Sequence, residues 1–187
     1  LANFSSTVNR NNVSLSWSTA SELNNSGFDI ERKSATAAEW TKIGNVAGSG
    51  TTSEARSYSF NERAATGNYN YRLKQIDFNG NHAYYALENE VIVGVPSAYA
   101  LSQNYPNPFN PTTKIDYDLP YDGNVSITLY DLTGREVSKL VNEAKTAGYY
   151  TLQFNASNLS SGMYFYRISA EGNSNSFVTS KKMVLIK

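Results

Sequence analysis

The side chains able to do chemistry are scattered along this chain rather than grouped. His82 is its one histidine, and no nucleophile, base and orienting acid gather around it in the sequence. Serines and aspartates are plentiful, but without a shared geometry they do not make a triad. Cysteine is absent, which removes disulfides, thiolate zinc ligands and cysteine nucleophiles together. No glycine-rich phosphate loop occurs. The stretch Asp77-Phe-Asn-Gly-Asn81 has the residue types of a calcium loop, but the helix–loop–helix pattern wants glycine sixth and a closing glutamate. Here glycine is fourth and the flanks alternate as strands. Asn79-Gly80 therefore reads as a tight hairpin turn. The Ser/Thr-rich run 49–57 has the composition of a solvated connection, with glycan binding as the functional alternative. The chain reads as non-enzymatic, with no cofactor and no metal site.

The elements that would have to position any site are strands. The 187 residues suit one large or two small domains. Lys plus Arg and Asp plus Glu are 16 each, so nucleic acid is not an expected partner. The balance holds in each half, with 8 basic and 9 acidic residues in 1–94 and 8 and 7 in 95–187. Tyrosine occurs 14 times and charge is only 17%, a composition that favours pleated, half-buried surfaces. No run approaches the length of a membrane-spanning helix. Leu1 follows no basic or apolar leader, so a fragment or a mature product is expected.

In the first half, short alternating runs recur between turn signals. Val13, Leu15 and Trp17 alternate with serines. Phe28 and Ile30 follow the expected turn Asn24-Asn-Ser-Gly27. Trp40 and Ile43 mark a short strand ending at Gly44, and 47–57 reads as a loop. Tyr58 and Phe60, then Tyr69, Tyr71, Leu73 and Ile76, carry further strands, and Tyr85 to Val93 the last. With Trp17 on its second strand and Tyr69-Asn-Tyr-Arg-Leu73 on its sixth, the region 1–94 resembles a fibronectin type III or related immunoglobulin-like domain. The resemblance implies a buried tryptophan and a tyrosine that anchors a corner through its hydroxyl. Tyr69 and Tyr71 both suit that role.

Residues 95–104 have no clear period and read as a linker. Directly behind it, Tyr105-Pro-Asn-Pro-Phe-Asn-Pro111 holds three of the five prolines. Proline fixes φ and donates no hydrogen bond, so the stretch is neither helix nor central strand. It leads stiffly into Lys114–Leu119, which alternates as a half-buried strand. Turns at Asp122-Gly123, Asp131–Gly134, Ala147-Gly148 and Ser160–Gly162 separate further strands. Met163–Ile168 is apolar on both faces, as a central strand is. The expected fold is all-β, two tandem immunoglobulin-like β-sandwich domains.

Five spaced motifs sharpen the second half: Tyr105-Pro-Asn-Pro-Phe-Asn-Pro-Thr-Thr113, Tyr130-Asp-Leu-Thr-Gly-Arg-Glu-Val137, Ala147-Gly-Tyr149, Ser161-Gly-Met-Tyr-Phe-Tyr-Arg167 and Lys182-Met-Val-Leu-Ile-Lys187. Residues 105–187 are similar to the type A C-terminal sorting domain of type IX secretion substrates. The resemblance implies a secreted or cell-surface protein that crosses the periplasm of a Gram-negative bacterium. It implies a domain read by the outer-membrane translocon, usually removed by a surface sortase, with the cargo joined to anionic lipopolysaccharide.

Positions displayed by turns and strand ends are the expected recognition residues: Pro106, Asn107, Pro108, Asp131, Gly134, Arg135, Lys182, Met183 and Lys187. Cleavage is expected within Ser97, Ala98, Tyr99 and Ala100. Each residue also has a structural reading: the turn for Asp131 and Gly134, edge protection for the prolines, solubility for the lysines. The first domain is expected to be a non-catalytic spacer or binding module. The alternative function is a retained structural subunit of a surface layer or filament, self-associating through sandwich edges.

Overall fold

Period-two alternation sets the layers of the first half, because side chains along a strand point alternately to its two faces. The structure, a computed structural model covering residues 1–187, is all-β and divides into two units, Leu1–Gly94 and Val95–Lys187. The first unit is built from β1 (Asn3–Asn9), β2 (Asn12–Thr19), β3 (Glu22–Ser34), β4 (Thr41–Thr52), β5 (Arg56–Arg63), β6 (Gly67–Asp77), β7 (His82–Ala86) and β8 (Val91–Val93). One antiparallel sheet has the order β1-β2-β5; the other has β4-β3-β6-β7, with β8 also paired to β6. Val13, Leu15 and Trp17 from the first sheet meet Phe28, Ile30, Tyr71 and Leu73 from the second, all buried. Trp17 stands edge-on to Phe28 at 5.4 Å and stacks on Tyr58 at 5.7 Å. Such ring pairs add about 0.5–1.5 kcal/mol beyond the area they bury.

Tyr69 and Tyr71 divide the work that the sequence leaves open. The Tyr69 hydroxyl donates to the Ala65 carbonyl, four residues upstream, at 3.0 Å. That is the corner arrangement. Tyr71 is fully buried and donates to Glu62, and burial pushes its phenol up. The Asn79-Gly80 turn is a hairpin, with Gly80 at φ 87 and its N–H on the Asp77 carbonyl at 2.9 Å.

Three local expectations are corrected. The run 47–57 is not a loop: β4 extends to Thr52 and β5 starts at Arg56. Its two glycines do different work: Gly50 takes φ 69, and Gly48 allows a close approach. A Cβ on Gly48 would lie 2.5 Å from Asn25 Nδ2. The Asn24–Gly27 turn is instead a bulged part of β3, where pairing with β4 slips between Glu22, Asn25 and Gly27 and Asn24 takes φ 57. The buried Glu22 carboxylate fills this bulge, accepting from Thr19, Tyr58, Asn25 and the Ser49 N–H. Burial pushes its pKa up, but the four donors outweigh it and the group titrates below the usual glutamate range. Finally, the last expected strand of this half is broken into β7 and β8.

The second unit holds β9 (Ala100–Leu101), β10 (Thr112–Leu119), β11 (Gly123–Tyr130), β12 (Glu136–Lys145), β13 (Gly148–Asn155), β14 (Gly162–Gly172) and β15 (Asn175–Leu185). Its sheets have the orders β13-β10-β9 and β12-β11-β14-β15. The core between them includes Ile115, Tyr117, Leu119, Val125, Ile127, Leu129, Tyr166, Ile168, Met183 and Leu185. β14 is central, as its two apolar faces predict, and β15 is an edge strand. Ala100 and Leu101, within the stretch read as a linker, pair with Asp118 and Tyr117.

Candidate recognition site

Proline chemistry builds the first part of the site. Lacking N–H groups at Pro106, Pro108 and Pro111, the segment cannot form a ladder. It makes two isolated bridges instead, Tyr105 with Lys114 and Phe109 with Leu185. The peptide bonds before Pro106 and Pro108 are cis. Several of its polar groups bond the final strand. Phe109 N–H donates to the Val184 carbonyl and Ile186 N–H donates to the Phe109 carbonyl, both at 3.0 Å. The Val184 N–H donates to Asn107 Oδ1 at 2.9 Å, and Gln103 Nε2 donates to the Lys182 carbonyl at 2.7 Å. Residues 103–109 thus line the end of β15, from Lys182, and Ile186 just beyond it.

A buried polar spine holds that segment down. Tyr166, fully buried, accepts the Asn104 N–H at 2.8 Å and donates to the Ser102 carbonyl at 2.7 Å. Burial pushes the Tyr166 phenol up to about 12, against the smaller opposing pull of the Asn104 N–H. Asn104 Nδ2 donates to the Pro106 carbonyl and to Thr113 Oγ1, each at 3.0 Å. Thr113 Oγ1 donates to the same Pro106 carbonyl at 2.8 Å. Gln103, Asn104, Thr113 and Tyr166 were not among the expected site residues. Asn104 and Thr113 are 2% and 3% exposed, and only that burial reveals them.

The second part is the turn between β11 and β12. Asp131 Oδ1 accepts the Thr133 and Arg135 N–H groups and the Thr133 hydroxyl, while Oδ2 accepts Arg135 Nε at 3.0 Å. The Thr133 hydroxyl leads these donors in holding the carboxyl down at about 2. Gly134 closes the turn at φ 81, a conformation that favours glycine. Nothing stands within 4 Å of where its Cβ would be.

Register brings these parts to one end of the unit. Tyr130 pairs with Phe165, Phe165 with Lys182, and Gly162 with Leu185. The 131–135 turn, residues 160–162 and the last residues therefore share a pole. Lys187 is tied there by its N–H to Ser161 Oγ at 3.0 Å and its Nζ to the Ser157 carbonyl at 2.7 Å. Pro106, Asn107, Pro108, Asp131, Gly134, Arg135, Lys182 and Lys187 all lie at this end. Met183 does too, but it is fully buried and faces the core. Ser97, Ala98, Tyr99 and Ala100 lie at the opposite end. Ser97 and Ala98 are exposed, Tyr99 packs on Tyr121 and stacks on Phe177 at 5.4 Å, and Ala100 begins β9. His82 is far from any such assembly in sequence and stands exposed against the edge of Tyr84.

Residues 103–187 match the family described as the secretion system C-terminal sorting domain. The second unit carries a type IX sorting domain. The sorting domain marks a secreted or cell-surface protein of a Gram-negative bacterium. No curated protein matches the chain. Among solved structures, dimeric latent PorU from Porphyromonas gingivalis is similar at 18% identity and a TM-score of 0.40, over 95% of this chain. This chain spans 18% of the length of that one. The chicken interferon gamma receptor alpha chain is similar at 14% identity and a TM-score of 0.37, over 99% of this chain and 98% of that one. The FN1-FN3 domains of chicken CNTN1 are similar at 12% identity and a TM-score of 0.39, over 97% and 64%.

Proposed function

We propose that the sorting domain is the address read by the type IX outer-membrane translocon, and that a surface sortase then removes it. The observation that carries this reading is the convergence at one pole. Three motifs far apart in sequence, 105–113, 130–137 and 182–187, are tied to that pole by side-chain and backbone bonds. A rigid display of that kind suits recognition by a partner. Cleavage falls within Ser97–Ala100, where the exposed Ser97 and Ala98 precede the paired Ala100. The cargo is then joined to anionic lipopolysaccharide. The first unit is a non-catalytic spacer or binding module; immunoglobulin-like sandwiches are ordinarily non-catalytic.

The test fuses residues 95–187 to a soluble periplasmic reporter in a host with the type IX machinery. The reporter is expected at the cell surface or in the medium. A reporter that stays periplasmic sinks the reading.

A second reading keeps residues 105–187 in the mature protein as a filament or surface-layer subunit. It is favoured by one observation. β15 is an edge strand, and its bonds to residues 103–109 begin only at Lys182. The part from Asn175 to Lys181 offers an edge for self-association. Peptide analysis of surface material separates the readings: recovery of the Lys182–Lys187 peptide from mature assemblies supports retention.

A further inference from the structure

The outward side of the β12-β11-β14-β15 sheet changes character along its length. Positions that point away from the core alternate with the buried ones, and an exposed sheet face is ordinarily polar at those positions. At the end away from the recognition pole this holds. Asn124 and Ser126 on β11, Ser169 and Glu171 on β14, and Ser176 on β15 occupy the outward positions, with Val178, opposite Ser169, a single apolar side chain among them. At the recognition pole it fails. The outward positions there include Tyr130, Phe165, Met163 and Val184, in paired rows Tyr130–Phe165 and Met163–Val184, with charges in those rows only on the flanking Lys182 and Glu136. Met163 is 38% exposed and Phe165 36%. Ile186 continues the outward parity and Leu132 sits in the adjoining turn, at 51% and 66% exposed. None of these side chains is needed by the core. An apolar cluster on a rigid, solvent-facing sheet marks an interaction site.

The charges beside it say what kind of partner fits. Lys182 pairs directly across from Phe165, Arg167 lies over the Tyr130 ring at 5.9 Å, and Lys139 is opposite Thr128. No carboxylate of the chain makes an ion pair with any of the three. Glu136, opposite Tyr130, is the one carboxylate in these outward rows. A second copy of the same face would bring cation against cation. The centre of the cluster, Phe165 and Met163, is only about a third exposed, whereas a membrane-inserting surface presents its apolar side chains outward; the more exposed Leu132 and Ile186 stand at its margin, in the turn and past the strand end.

We propose that this half of the sheet face, centred on Met163 and Phe165, is the surface through which the sorting domain docks onto a protein partner with an apolar centre and an acidic flank. The proposal rests on the reading of the second unit as an address, and it moves the contact from the turns to the sheet. The turns and the 103–109 segment then act by fixing the face's edge and end.

The experiment uses a reporter fused ahead of the full 1–187 chain in a type IX host, with the exported fraction as readout. The purified chains are checked for cooperative folding by thermal melting. Phe165→Glu, and separately Arg167→Glu with Lys182→Glu, should lower export by about tenfold or more, the scale of losing a central interface contact. Ser126→Glu and Ser169→Glu, at the polar end of the same face, should stay within about twofold, as surface changes away from a contact do. If Phe165→Glu does not melt cooperatively, Phe165→Thr replaces it, since threonine keeps strand propensity while removing the ring. A folded Phe165 variant and a folded charge-reversed variant that both export normally overturn the docking face and leave the address reading intact. An unaltered fusion that is not exported overturns both. Two controls use the purified chain. Phe165-dependent binding to phosphatidylglycerol vesicles assigns the face to lipid and overturns the protein partner. A Phe165-dependent dimer in sedimentation does the same in favour of a second copy.

Discussion

Single residues in the sorting domain illustrate two ways a polar group is held. Asp131 is solvent-facing and gathers its donors locally, from Thr133 and Arg135. Its carboxyl titrates at about 2, below the ordinary aspartate value. A lowered folded-state pKa means stability present above the unfolded value and lost as pH falls through the folded one. The window is therefore about pH 4 down to about 2. An NMR titration should show the Thr133 and Arg135 amide shifts moving in that window, and Asp131→Asn should abolish the movement. An ordinary aspartate midpoint for Asp131 would contradict the turn geometry. Tyr166 is the opposite case, a buried hydroxyl between a donor and an acceptor. Tyr166→Phe leaves the Asn104 N–H unpaired in the interior and should cost about 1–3 kcal/mol in urea unfolding of the second unit. The two residues also differ in legibility. Asp-Leu-Thr-Gly announces a turn because its partners lie within four positions. The partners of Tyr166 lie more than sixty positions away, and nothing local marks Asn104 as other than linker.

At the scale of elements, the strands were legible wherever alternation was clean, as in 13–17 and 114–119, because one face of each is buried. Composition misled at 47–57, where glycine marks a bulge and a tight approach instead of a loop. A further device does not show in alternation. Tyr69, Tyr150 and Tyr164 each donate to the carbonyl four residues upstream, on Ala65, Thr146 and Ser160. Each follows a glycine that opens its strand by two positions: Gly67, Gly148 and Gly162. Gly67 and Gly162 share φ 154, where side chains are strained whatever the space. The pattern Gly-x-Tyr at a strand start is thus a corner signal that recurs in both units. Gly162→Ala should destabilise the second unit by about 1–3 kcal/mol, because the site is open and backbone strain alone acts. Gly94→Ala, equally open and without a positive φ, should be near neutral by the same urea measurement. Equal effects of the two would remove φ as the cause.

Across the whole molecule, the two units can be watched separately, since both tryptophans, Trp17 and Trp40, belong to the first. This changes what a truncation can test. Removing Lys182–Lys187 looks from sequence like deleting part of an address. In the structure it also removes Met183 and Leu185 from the core and leaves Phe109 without its backbone partners. Truncating one such buried side chain costs about 2–5 kcal/mol, and losing two with a strand end approaches the whole stability of a small domain, about 5–15 kcal/mol. The truncated chain should therefore keep the tryptophan emission and its unfolding midpoint while losing the near-ultraviolet tyrosine signal of the second unit. Export should fail with it, through loss of the fold rather than loss of a contact. A truncated chain that retains a native tyrosine signal yet is not exported would instead make the last six residues themselves part of what the secretion system reads. An unfolded one returns the question to the sheet face and the point variants there, which remove contacts while the core residues stay in place.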